Sequence, residues 1–275
     1  MKNPGRLFLT GALLLCTCLT QAASVDTVAT YSAAMHKTIK AVVVTPDDYG
    51  TGRAFPVVYM LHGYSGNYAD FIKNIPSIAT DADRYHFIIV CADGRYDSWY
   101  FDSPVDSASR YETYVSKELV NWIDTHYKTI PNRSGRAIMG LSMGGHGALY
   151  LCFRHQDVFG AAGSMSGGVD LRPFPNNWNI ASQLGSYSAH PENWDSHSVV
   201  NLTGLLKPGD SPALIIDCGY DDFFYTVNLH LHNELLEEKI PHDFIIRPGG
   251  HSWTYWSNSV PYQLLFFSRF FVKAG

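Results

Sequence analysis

Short apolar runs alternate with amphipathic stretches along most of this chain. Thr38–Thr45 is a β-branched run, and Phe55–Leu61 is almost continuously apolar, as suits a strand covered on both faces. Phe87–Ala92, Arg136–Met139, Phe159–Met165, Ala213–Cys218 and Asp243–Arg247 read as further strands. Helical stretches lie between them. Tyr111–Tyr127 places Tyr114, Leu119, Trp122, Ile123 and His126 near one face. Gly145–Phe153, Leu229–Lys239 and the C-terminal Trp253–Val272 read as helices as well. Strands alternating with helices predict an α/β protein with a central, mostly parallel sheet flanked by helices. One long stretch, Ser166–Asp210, is rich in Pro, Asn, Ser and Trp, and is expected to be an irregular loop that could wall a site.

The chain has 275 residues, 46% of them hydrophobic and 16% charged, which suits a single domain with one good core. Its net charge of −5 comes without a basic stripe, so nucleic acid is not an expected partner. Lys2 and Arg6 precede an apolar run from Leu7 to Leu19, and Ala22 and Ala23 follow. That is the three-part pattern of a secretory signal peptide over residues 1–23, leaving residues 24–275 as the mature domain. The run is shorter than the ~20 apolar residues of a spanning helix, so no membrane insertion is expected after cleavage. A periplasmic or secreted location follows as the expectation. Cys16 and Cys18 lack the small-residue approach of a lipidation site. Cys91, Cys152 and Cys218 remain in the mature chain, and an odd count leaves at least one unpaired. Cys91 and Cys218 sit in apolar strands, where a thiol behaves as a small hydrophobe. No spacing suggests a metal site, and no cofactor is expected.

The chemistry concentrates at Gly140-Leu141-Ser142-Met143-Gly144, which fits G-x-S-x-G. A strand runs in and a helix runs out. A sharp turn between them would hold the Ser142 hydroxyl at the sheet tip, with small residues letting the backbone pass close by. The helix N-terminus would aim its N–H groups at the reacting centre. Ser142 then needs a base and an orienting acid, in the chain order Ser, Asp or Glu, His. His251 follows two glycines after the last strand, where its ring can reach across the sheet edge. Asp217, Asp221 and Asp222 lie in or just after the preceding strand. Asp217 lies within the strand. Asp221 and Asp222 share a turn, and successive side chains diverge, so one of the two faces His251. Asp222 is favoured, with Asp221 next. Two backbone N–H groups should stabilise an oxyanion: that of Met143, and that of Tyr64 in the loop Leu61-His62-Gly63-Tyr64-Ser65-Gly66. His62 is expected to support that loop rather than to act as a base.

These residues together resemble the esterase D-like, or feruloyl esterase-like, branch of the α/β-hydrolases. That branch also contains acetyl xylan esterases, tributyrin esterases, S-formylglutathione hydrolases and mycolyltransferases. The resemblance is carried by Leu61-His62-Gly63, Asp97–Pro104, Tyr111–Tyr114 with Glu118-Leu119, Gly140–Gly145, Asp217–Asp222 and Gly249–Trp253. It implies the α/β-hydrolase fold. It also implies that the acid is the third residue after the glycine of the Asp-x-Gly loop, which is Asp222, and it supports Tyr64 as an oxyanion donor. Trp99 and Tyr100 match a segment that lines the pocket in relatives. Trp253 is a third candidate for substrate binding. The leader argues against a glutathione thioester as substrate, because glutathione chemistry is mainly intracellular.

Aromatic residues make up 14% of the chain, and Tyr64, Trp99, Tyr100, Phe101, Trp178, Trp194, Phe223, Trp253 and Trp256 are expected near the site. Such a wall would suit a sugar ring or an aromatic acyl group, although many of these side chains will simply be core. The expected function is a secreted serine carboxylesterase that releases short acyl or hydroxycinnamoyl groups, from plant polysaccharides or from small-molecule esters, through an acyl-Ser142 intermediate. The alternatives are an acyltransferase, a general short-chain esterase, and a non-catalytic carbohydrate-binding protein.

Overall fold

The computed structural model describes residues 22–274, so residues 1–21 of the expected leader lie outside the described residues. The chain runs β1 (Ser24–Ser32), β2 (Lys37–Thr45), β3 (Val57–Leu61), α1 (Asp70–Asn74), α2 (Ile78–Tyr85) and β4 (Ile88–Ala92). Next come α3 (Tyr111–Thr113), a π-helical segment (Tyr114–Leu119) and α4 (Val120–His126), then β5 (Arg136–Leu141), α5 (Met143–Arg154) and β6 (Ala161–Met165). The chain ends with α6 (Ile180–Leu184), α7 (Pro191–His197), β7 (Ala213–Gly219), α8 (Tyr225–Glu237), β8 (His242–Arg247) and α9 (Trp253–Ala274).

The strands form one sheet of eight in the order β1-β2-β4-β3-β5-β6-β7-β8. β1 and β2 are antiparallel to their neighbours, and every pairing from β4 through β8 is parallel. Every residue of β3, β4, β5 and β6 is buried, which accounts for their unbroken apolar or small-residue runs. Alternate side chains feed two apolar layers. Val57, Tyr59 and Leu61 pack with Leu149, Tyr150 and Phe153 of α5 on one face. Val58 and Met60 pack with Val260, Leu264 and Phe267 of α9 on the other.

The structure adds one strand to the sequence expectations and corrects one loop. β1 carries no strand signal because its sequence is mostly polar and its first residues are exposed at the sheet edge. It is tied inward by side chains: Thr30 Oγ1 shares a hydrogen bond with the Tyr114 hydroxyl at 2.7 Å, and the Ser32 hydroxyl donates to Glu118 at 2.5 Å. The stretch Ser166–Asp210 is not wholly irregular. It carries α6 and α7, each too short to show a helical period in sequence. No helix among the described residues is long and apolar enough to cross a membrane.

Candidate active site

Four loops leave the same end of the parallel strands, where open α/β sheets hold their ligands. They carry Tyr64 after β3, Ser142 after β5, Asp222 after β7 and His251 after β8. Ser142 occupies the single residue between β5 and α5, with φ 55° and ψ −117°. A residue with a Cβ is strained there, by roughly 1–3 kcal/mol, and is held by its surroundings. Its amide donates to the Met165 carbonyl at 2.9 Å, and its carbonyl accepts from His146 at 3.0 Å. The glycines on either side allow the backbones to meet. A Cβ on Gly144 would strike the Leu61 carbonyl oxygen, and one on Gly140 would strike the Gly144 carbonyl.

The Ser142 hydroxyl lies 2.8 Å from His251 Nε2. His251 Nδ1 lies 2.9 Å from Asp222 Oδ2 and 3.1 Å from Oδ1. A carboxylate only accepts, so Nδ1 carries the hydrogen and Nε2 is left to accept from Ser142. Asp222 is itself fixed: its Oδ1 accepts from the Phe224 amide at 2.8 Å, and its side chain is fully buried. Phe223, at a centroid distance of 4.3 Å, and Trp256, at 4.9 Å, hold the His251 ring. The other two acids do not reach His251. Asp217 accepts from the Tyr255 hydroxyl and pairs with Arg247. Burial raises its carboxyl, although Tyr255 and Arg247 pull the other way. Asp221 is exposed and accepts from the Gly249 amide at 3.4 Å.

Neither the Tyr64 nor the Met143 amide donates to another group among the described residues. Met143 is the first residue of α5, so its N–H has no intrahelical partner. Behind the Tyr64 loop, the buried His62 bridges two backbone groups. Its Nδ1–H donates to the Gly63 carbonyl and its Nε2 accepts from the Gly94 amide, both at 2.8 Å. Burial lowers the imidazole below its ordinary value, so the ring stays neutral.

Gly63, Tyr64, Leu141, Ser142, His251 and three tryptophans, Trp178, Trp253 and Trp256, help to line a cavity of about 230 Å³. Trp253 is part of that lining. Trp99 and Tyr100 are not. Trp99 is 1% exposed and Tyr100 is fully buried. The Tyr100 ring fills space beside Gly94 and Gly147, and its hydroxyl donates to the His62 carbonyl at 3.0 Å. Trp99 packs against His146 and Trp178. They form the backing of the site, because their aromatic mass is spent filling the space under the loops. Phe101 and Trp194 are likewise core. Trp178 and Trp256 line the cavity but had no signal beyond being aromatic.

Cys91, Cys152 and Cys218 are free and buried, and burial pushes the Cys91 thiol up to about 12 and the other two higher still. Among the described residues one group could hold a metal ion, Asp47, Asp48 and His86. It lies outside the cavity, and Asp48 already pairs with Arg53 at 2.7 Å and His86 at 3.1 Å.

Residues 32–267 match the Esterase family. An esterase of Mycobacterium tuberculosis is 38% identical over 236 residues, covering 76% of this chain and 51% of that protein. The chain thus spans about half the length of that relative. An acetyl esterase of Caldicellulosiruptor saccharolyticus is 26% identical, covering 74% of this chain and 79% of its own. The solved structure of a ferulic acid esterase superposes with a TM-score of 0.78 at 27% identity, covering 91% of this chain and 99% of that one. The eight-stranded, mostly parallel sheet is that of the α/β-hydrolase esterases. By sequence over most of its length and by fold, the chain belongs to the Esterase family.

Proposed function

We propose that this protein is a serine carboxylesterase working through an acyl-Ser142 intermediate. The observation that carries the reading is the continuous relay in which Ser142 Oγ lies 2.8 Å from His251 Nε2, and His251 Nδ1 lies 2.9 Å from Asp222. Nε2 takes the hydroxyl proton as Oγ attacks the ester carbonyl. The carbonyl oxygen gains negative charge and is met by the Tyr64 and Met143 N–H groups; losing one such donor costs about 3 kcal/mol in other enzymes. Asp222 holds the imidazolium in its tautomer while Nε2–H passes the proton to the departing alcohol. Water, activated by the same nitrogen, then attacks the acyl group and releases the acid and Ser142.

The substrates are short acyl or hydroxycinnamoyl esters, with plant polysaccharides as the natural carriers. Three tryptophans in the cavity suit an aromatic acyl group or a sugar ring. Relatives named for acetyl and ferulic acid esters point the same way. The charged, apolar and small-residue pattern at the N-terminus favours a periplasmic or secreted enzyme with residues 24–275 as its catalytic domain. The test is hydrolysis by the purified protein of p-nitrophenyl acetate, butyrate and octanoate, methyl ferulate and acetylated xylan, with Ser142→Ala as control. Turnover that Ser142→Ala abolishes is expected, and the preferred ester assigns the acyl group. Turnover that survives the substitution overturns the reading.

A further inference from the structure

Two pairs of non-glycine residues in left-handed backbone meet beside the cavity. Trp99 (φ 52°) and Tyr100 (φ 63°) form one, Trp178 (φ 45°) and Asn179 (φ 57°) the other. Side chains with a Cβ rarely adopt this conformation, and two consecutive instances need contacts that hold them. The contacts run between the two segments that carry the pairs, Asp97–Tyr100 and Trp178–Asn179. The Asn179 amide Nδ2 donates to Asp97 Oδ2 at 2.9 Å, and the Trp99 indole N–H donates to the Trp178 carbonyl at 3.2 Å. Asp97 is buried, and its other oxygen accepts from Arg95 Nε at 2.8 Å. The clamp fixes a residue of direct consequence. Trp178 lines the cavity and stacks on Phe223 at 5.4 Å and 20°, and Phe223 in turn covers the His251 ring.

We propose that Asp97 and Asn179 are positioning residues that hold Trp178 as an acyl-side wall of the cavity, so that the site favours a flat aromatic acyl group over acetyl. This rests on the hydrolase reading above. A fixed indole with Trp253 and Trp256 in the same lining offers aromatic surface to a planar ring, whereas an acetyl group reaches too little of that wall to feel it. The clamp lies behind the indole and touches no reacting atom, so its loss should alter selectivity before it alters the chemistry.

Asn179→Gly is the informative variant, because glycine keeps the left-handed backbone and removes only the side-chain donor. It should lower kcat/KM for methyl ferulate about tenfold relative to p-nitrophenyl acetate, about the loss of one aromatic ring contact. Asp97→Asn, which weakens the same contact from the other side, should shift the ratio in the same direction. Binding is read separately by tryptophan quenching with free ferulate in a Ser142→Ala background, where adding Asn179→Gly should raise Kd about tenfold. Specificity constants that fall in parallel for both esters, or a ferulate Kd unmoved by Asn179→Gly, overturn the proposal. Should no ester be turned over in a Ser142-dependent way while ferulate affinity still falls in Asn179→Gly, the hydrolase reading fails and the clamp stands.

Discussion

Asp222 grips His251 through Nδ1 at 2.9 Å while its other oxygen is held by the Phe224 amide at 2.8 Å. The acid is thereby fixed before it fixes the histidine. Asp222→Asn should lose activity by roughly 10⁴-fold in kcat, since an amide can stabilise the wrong tautomer. Asp221→Asn should stay within a few-fold of wild type, because its carboxylate points to the Gly249 amide. Steady-state kinetics of the two variants decide the matter, and the reverse ranking would reassign the acid.

Gly144→Ala tests the close crossing of β3 and α5. Its methyl group would press on the Leu61 carbonyl oxygen, and neither backbone can move without moving Ser142 or the Tyr64 loop. Overpacking of this kind costs about 1–3 kcal/mol. A fall of several degrees in Tm together with a loss of kcat is expected. A variant as stable and as active as wild type would show that the crossing is looser than described.

His62→Ala removes the bridge between the Gly63 carbonyl and the Gly94 amide. Each buried group left without a partner costs about 1–3 kcal/mol. The loop bearing Tyr64 should lose its fixed orientation, so kcat should fall by more than KM rises. An effect confined to KM would place His62 in substrate binding instead.

A pH effect on stability is expected from Glu112. Burial alone would raise its carboxyl, but hydrogen bonds from His155 and Arg154 outweigh that and hold it at about 2. A carboxyl depressed in the folded state stabilises the protein above its unfolded value, ordinarily about 4.3, and the contribution drains away as pH falls from there towards 2. Glu112→Gln should therefore be less stable than wild type at neutral pH, with the gap closing between about pH 5 and pH 2. Urea midpoints across that range measure it. A gap that stays constant would show that the ion pair contributes nothing through titration.

Much of this arrangement was legible in the sequence, for physical reasons. β3 and β4 are buried on both faces, so their apolar runs stand out, and the Ser142 turn needs glycines in places that leave a pattern. Helix α5 follows its strand so closely that order places it, whereas order alone leaves Asp217, Asp221 and Asp222 all open as the partner of His251. β1 left no mark, because an edge strand with polar alternation looks like a loop. Trp99 and Tyr100 depart from the expected cavity lining for a different reason. Motif matching places a segment near a site, but which of its side chains face the cavity depends on backbone dihedrals. Here the left-handed turn at Trp99 and Tyr100 sends both rings into the core. Trp178 stands 36 residues further along the chain than Ser142, in a stretch with no period, and reaches the cavity through tertiary contacts with Trp99, Phe223 and Phe224.

The most direct test of the central claim is to trap the intermediate. The protein is mixed with p-nitrophenyl acetate, quenched in acid within the burst, digested and read by mass spectrometry. An acetyl group on the peptide carrying Ser142, absent from Ser142→Ala and longer-lived in Asp222→Asn, is the predicted result. Rapid release of p-nitrophenol with no acetyl group on Ser142, or with the label on another residue, would contradict the account.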